Sequence, residues 1–281
     1  MVRRTDPRSA GAAIAHRLAA THRVPAFDDL VTEALAAPFS GWDFSWLGTG
    51  STAGGLPWSY RREVARRAAL AATMLDMGTG GGEWLSQLWP RPRRTVATEA
   101  WPPNAPVAAG RLRPLGIAVI QDEGAPDNMA EDGLDRGRLP FRDGAFGLVA
   151  SRHEAFRATE VARVLAPGAT FVTQQVDFHS YDDLYPVVGL DAPERPESWL
   201  PLAARQLRDA GLTVQAAVRG EARHELRDVG ALVYYLRVVG WAIPEYSLEA
   251  CRPALGAAHE APEIWPVLFR QRHFLLVAGK S

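Results

Sequence analysis

The run Asp76-Met77-Gly78-Thr79-Gly80-Gly81-Gly82-Glu83 follows an apolar lead-in, Ala71-Ala72-Thr73-Met74-Leu75. Apolar strand, glycine turn and then helix is the layout of a ligand-binding loop in a parallel α/β sheet. Glycines at 78, 80 and 82 let the chain turn tightly and let a ligand lie against bare peptide. A dinucleotide loop needs G-x-G-x-x-G, and its third glycine would fall on Glu83, so an NAD-type reading fails. Seventeen residues beyond Gly82, a short β-rich run ends in Glu99, followed by Ala100 and Trp101. In nucleotide-binding α/β folds an acid at the end of the second strand accepts hydrogen bonds from both ribose hydroxyls. Glu99 stands where that acid belongs; the plainer alternative is a solvated carboxylate at a strand end. Trp101 reads either as a cover over an adenine ring or as a core aromatic.

Two later segments extend the pattern. Leu139-Pro140-Phe141 leads through a polar turn to Phe146 and an apolar strand, 146–151. Glu160-Val161-Ala162-Arg163-Val164-Leu165-Ala166-Pro167-Gly168 reads as helix, Pro-Gly turn and a further strand. With the D-x-G-x-G-x-G loop and Glu99, these segments over about residues 70–176 resemble class I S-adenosylmethionine (SAM)-dependent methyltransferases. They come nearest the type 11, ubiquinone/menaquinone-biosynthesis-like group. That resemblance implies a Rossmann-like α/β fold, a mostly parallel seven-stranded sheet with helices on both faces and a helical cap. It implies SAM as cofactor and S-adenosylhomocysteine (SAH) as product. On the matching positions the cofactor residues are Asp76, Gly78, Thr79, Gly80, Gly82, Glu99, Ala100, Trp101, Asp122 and Ser151. The chain departs from the family pattern at Gly147, where an acid is usual, at Ala169 in place of a second glycine, and in a long acidic connection at 122–138.

A methyl sulfonium is already activated, so an enzyme must align it with a nucleophile and exclude water. A weak oxygen or nitrogen nucleophile also benefits from a base. His153, just past the fourth strand, is at the sheet end where ligands bind and titrates in the useful range. It reads as that base or as a histidine holding a loop. Glu154 reads as its orienting partner or as an acid at a helix N-terminus. His179 and Tyr181, just after the fifth strand, are second-rank candidates, and Gln174 and Gln175, at its end, are placed to bind substrate. Tyr60 and Arg61 either reach the methionine carboxylate or stay on a helix surface.

The elements that must hold these residues follow from spacing. A capped amphipathic helix is expected at 28–37, an aromatic loop at 39–47, and a Gly/Ser/Thr-rich linker at 48–57. Residues 1–23 read as a frayed start or one short helix. A helix at 60–72 feeds the first strand, and strand–helix alternation then runs to about residue 176. After an irregular stretch to Pro196 come a helix at 198–210 and last strands at 212–218 and 272–277. Residues 1–60 read as an N-terminal helical and aromatic cap, and 61–281 as the SAM-binding domain with a helical lid insertion at about 226–262. Trp42, Trp46, Tyr234, Tyr235 and Trp241 are candidate substrate walls or simply core.

Composition bounds the rest. With 281 residues and 47% hydrophobic, the chain can bury a sizeable core. A net charge of −1 provides no field for nucleic acid, so an RNA methyltransferase is the weaker alternative. A non-catalytic SAM-binding protein is another. One cysteine, Cys251, excludes an internal disulfide and fits a reducing cytoplasm. There is no Cys/His cluster at metal spacing, no P-loop and no transmembrane run. The expectation is a cytoplasmic monomer or homodimer acting on a small molecule, with no metal, nucleic acid or membrane partner.

Overall fold

The structure, a computed structural model, describes residues 25–48, 55–125 and 137–281. The expectations for residues 1–23, for the linker at 49–54 and for the middle of the acidic connection at 126–136 lie outside the described residues.

Seven strands form one sheet: β1 (Thr73–Met77), β2 (Arg94–Glu99), β3 (Ala118–Gln121), β4 (Phe146–Arg152), β5 (Leu165–Val176), β6 (Leu212–Leu226) and β7 (Val267–Lys280). Their order is β3-β2-β1-β4-β5-β7-β6. The first five run parallel, and β7 is antiparallel to both β5 and β6. This is the Rossmann-like fold of class I methyltransferases, as the loop and strand pattern implied. β1 is buried on both faces, which is why it reads as a continuous apolar run rather than an alternating one. Its register with β4 sets Asp76 beside Ala150 and Met77 beside Ser151, so the loops after both strands rise from the same level.

The described helices are α1 (Phe27–Ala36), α2 (Tyr60–Ala68), α3 (Glu83–Ser86), α4 (Asn104–Leu112), α5 (Ala158–Val164), α6 (Leu200–Asp209), α7 (Val229–Val238) and α8 (Leu248–Glu260). One face of the sheet buries an apolar cluster with α2 and α4; the other buries a cluster with α5 and α6. A third cluster joins α1 to α7 and α8. Arg237 on α7 donates to the carbonyls of Leu35 (2.7 Å) and Ala37 (2.6 Å), closing the C-terminus of α1. The N-terminal segment and the lid insertion therefore form one cap.

The segments at 139–147 and 160–168 are a structural clamp. Arg163 donates to the carbonyls of Leu139 (2.9 Å) and Phe141 (2.7 Å) and pairs with Asp143 and Glu160. Glu160 in turn accepts from the Leu139 amide at 2.9 Å. At Gly147 the amide donates to the Thr73 hydroxyl at 2.9 Å, so this position is held without a carboxylate.

The last two strands differ from expectation. β6 and β7 run well beyond 212–218 and 272–277, pairing from Leu212↔Lys280 to Leu226↔Val267. β6 is an edge strand of half-exposed residues with Arg, Gly, Glu and His, so its outer half lacks an apolar alternation to read. The resulting ribbon projects past the sheet and carries the cap.

Candidate functional site

The loop between β1 and α3 has Gly78, Gly80 and Gly82 at φ of 63°, 62° and 78°, a region that favours glycine. The Thr79 amide donates to the Thr98 carbonyl (2.9 Å), tying the loop to β2. Glu99 accepts from the Gly80 amide (2.6 Å) on one oxygen and from the Trp101 amide (3.1 Å) on the other. A carboxylate has about four acceptor positions, so both oxygens keep capacity for a ligand. Burial pushes the Glu99 carboxyl above its ordinary range against those two bonds. The Asp122 amide donates to the Glu99 carbonyl at 3.1 Å, bringing the end of β3 alongside. Gly124 follows, with Ala100 beside it.

Glu154 completes this cradle. Its carbonyl accepts from the Ser151 hydroxyl (3.1 Å) and the Gln175 amide (2.9 Å), and this fixes the loop after β4. Its side chain lies against Gly78, where a β-carbon would collide with it, and beside Gly124, where a β-carbon would fall 2.8 Å from Oε1. Burial, and then the charges of Glu99 and Asp122, push the Glu154 carboxyl up to about 7. Burial also raises Asp76 to about 7, against the Thr79 hydroxyl and Arg152. Two expectations change here. Glu154 faces the glycine loop and the carboxylates, not His153, so it does not orient that ring. The Ser151 side chain is fully buried and engaged with the loop, so its hydroxyl is not open to a ligand.

The partner of His153 is Gln174. The indole N–H of Trp58 donates to Gln174 Oε1 at 2.8 Å. Because indole nitrogen only donates, the Gln174 amide nitrogen must face His153, 3.2 Å from Nε2. His153 Nε2 is then an acceptor, and the neutral ring carries its proton on Nδ1. Burial, Arg152 and His273 hold the imidazole well below its ordinary range, in keeping with that neutral form. The residue sits at φ 61°, and its amide donates to the Gln174 carbonyl at 2.9 Å. A strained backbone at the end of a central strand is where ligand-handling residues collect. His153 keeps open surface while lying deep among protein atoms, as a cavity-lining residue does. Sequence spacing gave no sign of Trp58, which comes from a segment 116 positions away from Gln174.

The aromatic candidates separate. Trp42 lies on the glycine loop, since a β-carbon on Gly80 would collide with its indole. It meets Phe39 at 5.9 Å, Phe44 at 6.1 Å and Trp241 at 5.7 Å, with Trp101 6.3 Å from Phe39. Trp46 instead stacks on Tyr234 at 4.6 Å under the Arg227 guanidinium. Tyr234 is fully buried in the cap, so this pair is cap core and not a substrate wall. Tyr235 is buried between Phe44, Tyr181 and Phe269. His179 bonds Asp182 (2.6 Å) through Nδ1 and the Pro196 carbonyl (3.1 Å) through Nε2. Both ring nitrogens hold its own loop, which removes it from the substrate set. Arg61 turns away to the Gln87 carbonyl, and Gln175 bonds Thr173 and the Glu154 carbonyl.

A groove of about 290 Å³ lies beside His273, lined by Asp177, Glu197, Arg219, Glu221 and Arg272. Its charges are already matched as Arg219–Glu197 (3.0 Å) and Arg272–Glu221 (3.3 Å), so it offers no reactive constellation. Among the described residues no cluster of His, Cys, Asp and Glu could hold a metal ion, and no helix is long and apolar enough to cross a membrane.

No family model matches the sequence, and no curated protein matches it. Solved structures do. A functionally unknown protein from Deinococcus radiodurans is 15% identical, with a TM-score of 0.51 over 82% of this chain and 90% of that one. The YcgJ protein from Bacillus subtilis is 16% identical, with a TM-score of 0.52 over 79% and 97%. A provisionally assigned methyltransferase from Bacillus halodurans, 17% identical, reaches a TM-score of 0.49 over 78% and 98%. At such identities the first two likenesses show the fold and nothing finer.

Proposed function

We propose that the protein is a SAM-dependent methyltransferase acting on an oxygen, nitrogen or carbon of a small molecule in cytoplasmic, specialised metabolism. The observation that carries this reading is the convergence of Glu99, Asp76, Asp122 and Glu154 on a left-handed glycine loop at the carboxyl end of the sheet. The residues fit the cofactor. Gly78 and Gly80 let Glu154 and Trp42 close onto the loop, Glu99 suits the ribose hydroxyls, and a group of carboxylates suits a cationic ligand. Ala100, Trp101 and Asp122 would flank the base, with Thr79 and Gly82 shaping the loop. When bound, the cofactor supplies an activated methyl group. The chain's own part is to orient the two reactants, exclude water with the Trp42 cap and receive a proton. His153 Nε2 and the Glu154 carboxylate are the acceptors placed for that last task, Nε2 by exchanging its bond from Gln174. Incubation with methyl-labelled SAM and a small-molecule acceptor panel tests the assignment. Labelled acceptor formed in step with SAH is expected. Tight SAM binding with no product across the panel favours a non-catalytic SAM-binding protein instead.

A further inference from the structure

Arg152 is the last residue of β4, and the pleat decides its surroundings. Asp76 pairs with Ala150, two residues before Arg152; Arg152 pairs with Gln174; Gln174 pairs with Leu275, two residues after His273. Asp76, Arg152, Gln174 and His273 therefore share one sheet face at its carboxyl end. Tyr60, from the first turn of α2, covers that face. The Arg152 charge acts on Tyr60, Asp76, His153 and His273 together. Arg152 is exposed at the end of its strand, on the sheet face it shares with Asp76, Gln174 and His273. Among the described residues no carboxylate lies within ion-pair distance of it, and its side chain makes no hydrogen bond. Asp76, raised by burial to about 7, is the one carboxylate on this face, and the other titratable groups there are neutral. Tyr60 holds its proton because burial raises it, and His153 and His273 are uncharged because burial lowers them. The Tyr60 hydroxyl is buried without a hydrogen-bond partner, close to the Ser151 backbone. The Trp58–Gln174–His153 relay leaves His153 Nδ1 as a donor.

A permanent cation with no carboxylate in ion-pair contact, beside neutral N–H and O–H donors, is an anion receptor. We infer that Arg152 is the anchor of an oxyanion subsite, with the Tyr60 hydroxyl and His153 Nδ1–H beside it, that takes the carboxylate or phosphate of a bound small molecule. The source is the acceptor or the methionine end of the cofactor; the chemistry is common to both. The inference deepens the methyltransferase reading, but its first test needs no cofactor.

Inorganic phosphate is titrated into the protein alone and followed by the histidine ring-proton resonances. Saturable shifts of His153 are expected in the native protein and in Arg152→Lys, and their loss in Arg152→Gln. Dispersed spectra show that each variant is folded. Equal shifts in native protein and Arg152→Gln, or none in either, overturn the subsite whether or not SAM binds. Calorimetry with SAH and with 5′-methylthioadenosine, which lacks the carboxylate, then separates the sources. If the anion is the cofactor's, native protein prefers SAH at least tenfold and Arg152→Gln erases that preference. If it is the acceptor's, the preference is equal in both proteins and phosphate binds alongside SAH.

Discussion

At the residue scale, Glu99 has two tasks. It orders the loop through the Gly80 amide, and in the proposed function its remaining lone pairs take the ribose hydroxyls. Glu99→Ala is expected to weaken SAM binding about tenfold or more, since a charge-assisted contact is worth about 1.5–3 kcal/mol. Unchanged affinity by calorimetry removes Glu99 from the site. Glu154 and Asp76 give a pH test. Both titrate near 7, raised by burial, so both ionise as pH rises from 6 to 8. SAM carries a sulfonium charge and SAH does not. The SAM-to-SAH affinity ratio is expected to rise roughly fivefold over that interval, for about 1 kcal/mol of attraction at the effective dielectric of a cleft. Glu154→Gln should flatten the rise; a flat native profile places both carboxylates away from the sulfonium. His153→Ala is expected to lower turnover far more than SAM affinity, because its contacts are on the Gln174 side and not on the glycine loop. Full rate in that variant ends its candidacy as proton acceptor.

At the element scale, the clamp ties α5 to the segment before β4. Arg163 is mostly buried and makes bonds to two carbonyls and two carboxylates. Arg163→Ala is expected to cost about 2–3 kcal/mol, read from denaturant midpoints, because the carbonyls and Glu160 lose a charged partner. A shift below 0.5 kcal/mol would show that solvent replaces it. The cap bears on the loop through Trp42. Trp42→Ala uncovers Gly80, and SAH dissociation in stopped flow is expected to quicken about fivefold, the equivalent of about 1 kcal/mol for an aromatic contact. An unchanged rate assigns Trp42 to cap packing alone.

At the scale of the whole molecule, what was legible in the sequence was local. The glycine loop, Glu99 and the strand–helix alternation each lie within a short window whose pattern reflects its own geometry. The contacts that make the site specific join distant positions. Gln174 reaches His153 across 21 positions and Trp58 across 116. Trp42 meets Gly80 because α1 and α7 build one cap, which no single periodicity records. His179 and Tyr234 misled for the converse reason: a histidine or tyrosine with satisfied partners looks the same in sequence as a free one. The outer half of β6 was missed because an edge strand has one bonded neighbour and needs no apolar alternation. The most direct measurement is calorimetric titration of the full chain with SAM and SAH, with NAD as control. Micromolar binding of both, and none of NAD, is the predicted result; no binding of either, with the protein folded, contradicts a SAM site on this loop.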